Sequence, residues 1–192
     1  MKTRRAAWFL VSTLCLLALA PILLIAAPQA QPPGKFQLQE ATIASVHAAM
    51  KAKQLTCHDL VDQYLKRIDA YDKQGPALNA IVQINPDALK EADALDRRFA
   101  QGGLTGPLHC VPTIVKDNFE TIGLQSADGS LSLKGFVSNK DAFLVKRIKA
   151  AGAIIIAKSN MAEFAFSPLE TVNSILGTTK NPYAVDRVPA GS

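Results

Sequence analysis

Histidine and cysteine are both scarce in this sequence, three of each among 192 residues. His47 and His58 fall on separate helical stretches, and neither has a second histidine or an acid at metal-ligand spacing. Both read as surface or capping residues, so no metal site is expected. Cys57 and Cys110 are too few to build a disulfide framework. An oxidising compartment would let them pair, but they are expected to be reduced and to pack as small hydrophobes. Cys15 lacks the small residues that precede a lipidated cysteine. Aromatic residues make up only 6% of a chain that is 48% hydrophobic, so the core is expected to be aliphatic. Positive charge is thin once the N-terminus is set aside: of a net +5, Lys2, Arg4 and Arg5 supply three, leaving +2. No basic cluster with interleaved aromatics occurs, which excludes a nucleic-acid footprint. No internal repeat is evident. Gly123, Gly129 and Gly135 have neither the spacing of a phosphate loop nor its lysine. No cofactor is expected.

What is present begins with a leader. Lys2-Thr-Arg-Arg5 is basic, no acid precedes Glu40, and Ala6 to Ala27 is apolar except for Ser12, Thr13 and Pro21. A cleaved secretory signal has an apolar core of about 7–15 residues and a small-x-small cleavage site. A membrane-spanning helix needs roughly 20 apolar residues. The run lies between these lengths, so residues 1–30 read as a signal peptide or a membrane anchor. Either reading keeps the basic end inside and exports the rest. Only this segment, if uncleaved, would touch a membrane. Residues 31–38, with Pro32-Pro-Gly34, form a linker, and residues 39–192 form the folded part.

That part alternates helices and strands. Ile43, Val46, Ala49 and Met50 recur at helical spacing. Thr56 caps a second helix, with Asp59 three residues on and a stripe from Leu60 through Tyr64 and Ile68 to Tyr71. Ala80 to Ile84 reads as a strand, and Asp87 to Gln101 as a helix stopped by Gly102-Gly103. Asp141 is expected to cap a helix over Ala142 to Ala151, with Leu144, Val145 and Ile148 inward. Ala153 to Ala157 reads as a buried strand, and Ser159 or Asn160 as the cap of a short helix carrying Met161, Phe164 and Phe166. The alternation predicts an α/β fold with a mixed, helix-covered sheet.

One stretch carries the chemistry. Gly106-Pro107 leads into an apolar run, Val111 to Val115, which stops on Lys116 before Asp117 and Asn118 turn the chain away. The run reads as a short strand covered on both faces, with Lys116 on the side of Ile114. A lysine at the C-terminal end of such a strand lies where open α/β sheets place their ligands. The plainer reading makes Lys116 the first solvated residue after a strand. Gly123 to Asn139, dense in glycine and serine, starts beside it and reads as an active-site loop.

Asn181 to Ser192 is a further turn-rich loop, ending on Gly191-Ser192. Together with Gly106-Pro-Leu-His-Cys-Val-Pro-Thr-Ile-Val-Lys116-Asp-Asn118 and Lys158-Ser-Asn-Met-Ala-Glu-Phe164, it resembles the N-terminal part of the amidase signature family. These are serine hydrolases with a Ser–cis-Ser–Lys triad. The resemblance covers roughly Gln39 to Ser192. Cys110 stands where the family usually has glycine, Ala190 where it often does, and Ser126-Ala-Asp-Gly-Ser130 follows the family loop only loosely. It implies Lys116 as general base, Ser192 as the cis-Ser relay, and Met161 and Gly191 at the substrate, a small-molecule amide. It also implies a nucleophilic serine beyond Ser192, so the present residues alone are expected to form an incomplete, inactive sheet. A base lysine must be neutral when substrate arrives, a displacement of about 3 units from its free value, or roughly 4 kcal/mol. The alternatives are an exported, non-catalytic α/β binding module and a truncated product without a stable fold.

Overall fold

The computed structural model describes residues 35–192. The segments expected to be a leader (residues 1–30) and, for the most part, a linker (31–38) lie outside the described residues. Among those described, no helix is long and apolar enough to cross a membrane.

Helix α1 (Ile43–Lys51) starts at a reciprocal cap: Ser45 N donates to Thr42 Oγ1 at 3.1 Å, and Thr42 N donates to Ser45 Oγ at 2.9 Å. It buries Val46, Ala49 and Met50, while Ile43 is exposed. Helix α2 (Cys57–Ile68) has the expected Thr56 cap, whose hydroxyl accepts from Asp59 N at 3.0 Å. Two further orphan donors of its first turn, the N–H groups of Cys57 and His58, go to the Asp96 carboxylate at 2.7 and 3.0 Å. Past α2 the stripe breaks. Asp69–Lys73 forms a π turn, Tyr71 faces out, and buried Asp72 accepts from Ala80 N and Ile81 N, which sets the entry of β1 (Ile81–Ile84). Helix α3 (Ala88–Gly102) buries Ala88, Ala92 and Leu95 and ends at Gly103, whose φ of 79° is glycine's to adopt.

Strands β2 (Pro112–Lys116) and β3 (Ile154–Ser159) run parallel, and β1 pairs antiparallel with β3, giving the order β1-β3-β2. The sheet is mixed, as expected. Side chains of β3 alternate between two cores. Ile154 and Ile156 pack with α1, α2 and α3, whereas Ile155 packs with Val115 and Leu124 against Val145 of α4 (Phe143–Ala150). Helices thus cover both faces of β3.

Several further expectations need correcting. β2 is not covered on both faces, because Ile114 remains 45% exposed in a cleft with Tyr64, Tyr71 and Pro182. Asp141 does not cap α4; Ala142 holds that position with no side-chain bond, and the Asp141 carboxylate instead takes Ile122 N and Lys149 Nζ, both at 2.9 Å. Leu144 is exposed, so Val145 carries the inward face. No helix follows β3. Ser159 ends the strand, a single 3₁₀ turn spans Glu163–Ala165, Met161 is buried, and Phe166 is 91% exposed.

Cys57 and Cys110 are not free thiols: they form a disulfide, with Cα atoms 5.6 Å apart and both residues fully buried. It joins the first turn of α2 to the bend that leads into β2. Their 53-residue separation gave no local cue to the pairing. Cys110 has φ of 59°, the left-handed region where glycine is the usual occupant. The bend itself is tightly docked: Leu108 N and Cys110 N donate to Ala151 O and Gly152 O at 2.9 and 2.8 Å. A Cβ on Gly152, whose φ is +100°, would stand 2.8 Å from His109 Cα, so no larger residue fits there.

Candidate active site

Parallel pairing puts Lys116 opposite Ser159 at the C-terminal ends of β2 and β3. From there the half-buried Lys116 donates from Nζ to Ser192 Oγ at 2.7 Å. The two residues are 76 positions apart, and a chain of polar contacts closes that distance. Asn160, buried just after β3, donates from Nδ2 to Thr179 Oγ1 at 2.9 Å and accepts from Asn173 Nδ2. Thr179 Oγ1 in turn donates to Asn79 O at 2.8 Å. Nearer the serine, Thr171 Oγ1 donates to Ala190 O at 2.6 Å, and Gly191 N donates to Pro168 O at 3.1 Å. A Cβ on Gly191 would collide with Ser167 O and stand 2.7 Å from Glu170 O. Ala190 has φ of 70°, and the Gly191–Ser192 peptide is cis.

The glycine- and serine-rich loop is pinned directly behind Lys116. Buried Asp117 accepts at Oδ2 from Ala127 N at 3.2 Å and Gly129 N at 3.0 Å, and its Oδ1 has no partner among the described residues. Further along, Ser130 Oγ donates to Glu163 Oε1 at 2.7 Å, and Ser174 N donates to Oε2 at 3.0 Å. The hydrogen bonds from Ser130 and Ser174 hold the Glu163 carboxyl below the usual carboxylate range.

Met161 is wholly buried, and its carbonyl accepts from Asn173 Nδ2 at 2.6 Å, so its side chain presents no surface to a ligand here. Gly191 is exposed beside Ser192. Sequence reasoning singled out Lys116 and Ser192, and they meet. It gave no role to Lys158, which is 0% exposed although it is a lysine. Burial pushes this ammonium down to about 8, against the pull of Asp117 and Asp128. Two signals were available: Lys158 closes the otherwise apolar run Ile154-Ile-Ile-Ala157, and it opens the Lys158-to-Phe164 motif. Among the described residues no three His, Cys, Asp or Glu side chains group to hold a metal.

An amine and a hydroxyl in hydrogen-bond contact at a strand end can pass a proton between them. These features define an α/β protein with a lysine–serine couple at the edge of its sheet. The chain belongs to the amidase family: the family model matches residues 59–192. Similar relatives include a glutamyl-tRNA(Gln) amidotransferase component of Alkalilimnicola ehrlichii, 40% identical over 157 residues, which cover 81% of this chain and 31% of the relative. A probable amidase of Arabidopsis thaliana is 37% identical over 173 residues, covering 86% of this chain and 33% of the relative. Among solved structures, the peptide amidase of Stenotrophomonas maltophilia superposes with a TM-score of 0.77 at 40% identity, over 80% of this chain and 32% of that one. The chain therefore spans about a third of the length of the relatives it matches.

Proposed function

We propose that these residues are the N-terminal third of a hydrolase of carbon–nitrogen bonds, in which Lys116 is the general base and Ser192 relays its proton to a serine nucleophile further along the chain. The observation that carries the reading is the 2.7 Å contact from Lys116 Nζ to Ser192 Oγ. A hydroxyl between base and nucleophile lets a proton move in two short steps, each within hydrogen-bond reach. The substrate is a small-molecule amide bound beside the exposed backbone of Gly191.

In the full-length protein, Ser192→Ala is expected to lower kcat and kcat/KM together by roughly a hundredfold or more, because the relay acts only in the transition state. Steady-state kinetics on an aryl amide checks this. A raised KM at unchanged kcat would make Ser192 a binding group instead.

Residues 35–192 expressed alone are expected to release no product from the same amide, for want of the nucleophile. They should also unfold without a sharp two-state transition. Ile114 is 45% and Tyr183 97% exposed, and the outer edges of β1 and β2 have no strand beside them among the described residues. Turnover above background would move the nucleophile inside this chain. A monomer with sharp cooperative unfolding would favour a self-sufficient binding module.

The reading extends to compartment. A basic start, the apolar run from Ala6 to Ala27 and the Cys57–Cys110 bond together suit an exported protein, since disulfides persist in oxidising surroundings. Fractionation with N-terminal sequencing is expected to find the protein outside the cytoplasm. Recovery from the cytosol with Met1 intact would end that part of the proposal.

A further inference from the structure

Lys158 has an environment unlike that of an ordinary buried lysine. Among the described residues no carboxylate forms an ion pair with it. Its Nζ instead donates to three backbone carbonyls, Asp117 O at 3.2 Å, Phe119 O at 2.7 Å and Gln125 O at 3.1 Å, and to Ser126 Oγ at 2.9 Å. An ammonium has three N–H groups, so one is shared among the four acceptors. The acceptors come from both ends of a single loop, the one that leaves β2 immediately after Lys116 and returns at Ser126. Register adds to the case: Lys158 pairs with Val115, one position before the Lys116–Ser159 pair. One buried cation on the central strand therefore ties both ends of this loop to the sheet.

We propose that Lys158 is a positioning residue for the Lys116–Ser192 couple, a buried cationic clamp that fixes where the chain turns after Lys116. The inference rests on the amide-hydrolase reading above. A buried lysine is costly unless its donors are satisfied, and a methionine would pack at lower cost. What methionine cannot do is gather four acceptors at one point. Without the clamp, Phe119 loses its anchor to β3, and Asp117 is left with the single bond from its N–H to Ser159 O at 3.1 Å. The Asp117 carboxylate then loses its fixed place under Ala127 N and Gly129 N, and Lys116 Nζ is free to leave the 2.7 Å contact with Ser192. A misplacement of about 1 Å at a reacting group can cost about a hundredfold in rate.

The test uses the full-length protein and an aryl amide. Lys158→Met is expected to lower kcat about a hundredfold while KM stays within about threefold, because binding groups are untouched. Ser126→Ala, which removes one acceptor of Lys158 together with that hydroxyl's own bond to Phe119 O at 3.2 Å, is expected to lower kcat about tenfold, and Ser126→Thr to restore it by returning the hydroxyl. A Lys158→Met protein with wild-type kcat, or Ser126→Ala and Ser126→Thr impaired alike, would overturn the clamp. If Lys158→Met does not fold, the Ser126 pair decides. If the wild type itself hydrolyses no amide, the hydrolase reading fails, and the clamp is judged by hydrogen exchange. The Ala127 and Gly129 amides should then exchange at least about tenfold faster in Ser126→Ala than in wild type and recover in Ser126→Thr; equal rates in all three proteins would overturn it.

Discussion

Lys116→Ala in the full-length protein is expected to lower kcat/KM for an amide by about four orders of magnitude, the upper end for loss of a general base, with the fold intact. Lys116 is half-buried at the end of β2 and forms no part of either apolar core, so alanine opens no large cavity. Lys116→Arg is the sharper experiment. Arginine keeps the positive charge and can still donate to Ser192, but it cannot be deprotonated in a protein. If Lys116 acts as a base, the arginine variant is as dead as the alanine variant. If it acts only as a fixed positive charge, arginine retains a large share of the activity. Steady-state kinetics of the two variants, beside circular dichroism to verify folding, separates the roles.

Loss of the Cys57–Cys110 bond is expected to have the largest effect on stability. Its two ends are 53 residues apart, and closing a loop of that length in the unfolded chain corresponds to about 4 kcal/mol. In the full-length protein, Cys57→Ser with Cys110→Ser should therefore lower the melting temperature by about 4 °C. Reductant should do the same to the wild type and nothing to the double variant. Peptide mapping without reduction is expected to recover residues 57 and 110 in one linked species. Two titratable thiols from these positions in the denatured protein, or a melting curve indifferent to reductant, would show the bond is not made. The effect should also reach the site, because Cys110 lies two residues before β2 and the bond fixes the approach to Lys116.

The sequence made the local features of this fold readable and hid the long-range ones. Thr56 as a cap, Gly103 as a stop and the apolar run of β3 are signals contained within a few residues, and all three hold. Lys116 and Ser192 were legible through the motifs around them, since composition alone would not join residues 76 apart. Asp141 misled because an acid just before a helical pattern looks like a cap. Its carboxylate goes instead to Lys149 and Ile122 N, and Lys149 lies eight residues further along the chain. Asn160 misled in the same way, since its carboxamide holds together loops that come later in the chain. Ile114 reads as core from its neighbours, but the cover over that face of β2 is not among the described residues. The role of Lys158 and the closing of the disulfide escaped the sequence for one reason: each is decided by partners that a window of sequence does not contain.

The strand order has a consequence for how this molecule is made. Both β1 and β2 lean on β3, which leaves the ribosome last of the three, and among the described strands the earlier two never touch each other. No ladder among these three strands can therefore begin until Ile154 has emerged, and pairings between such distant segments form slowly. Cys57 and Cys110 both appear well before that moment. If the chain is exported as proposed, an oxidant can meet both thiols while the sheet is still unassembled. The cross-link then becomes an early tether, holding the first turn of α2 against the bend before β2 while β3 is still to come.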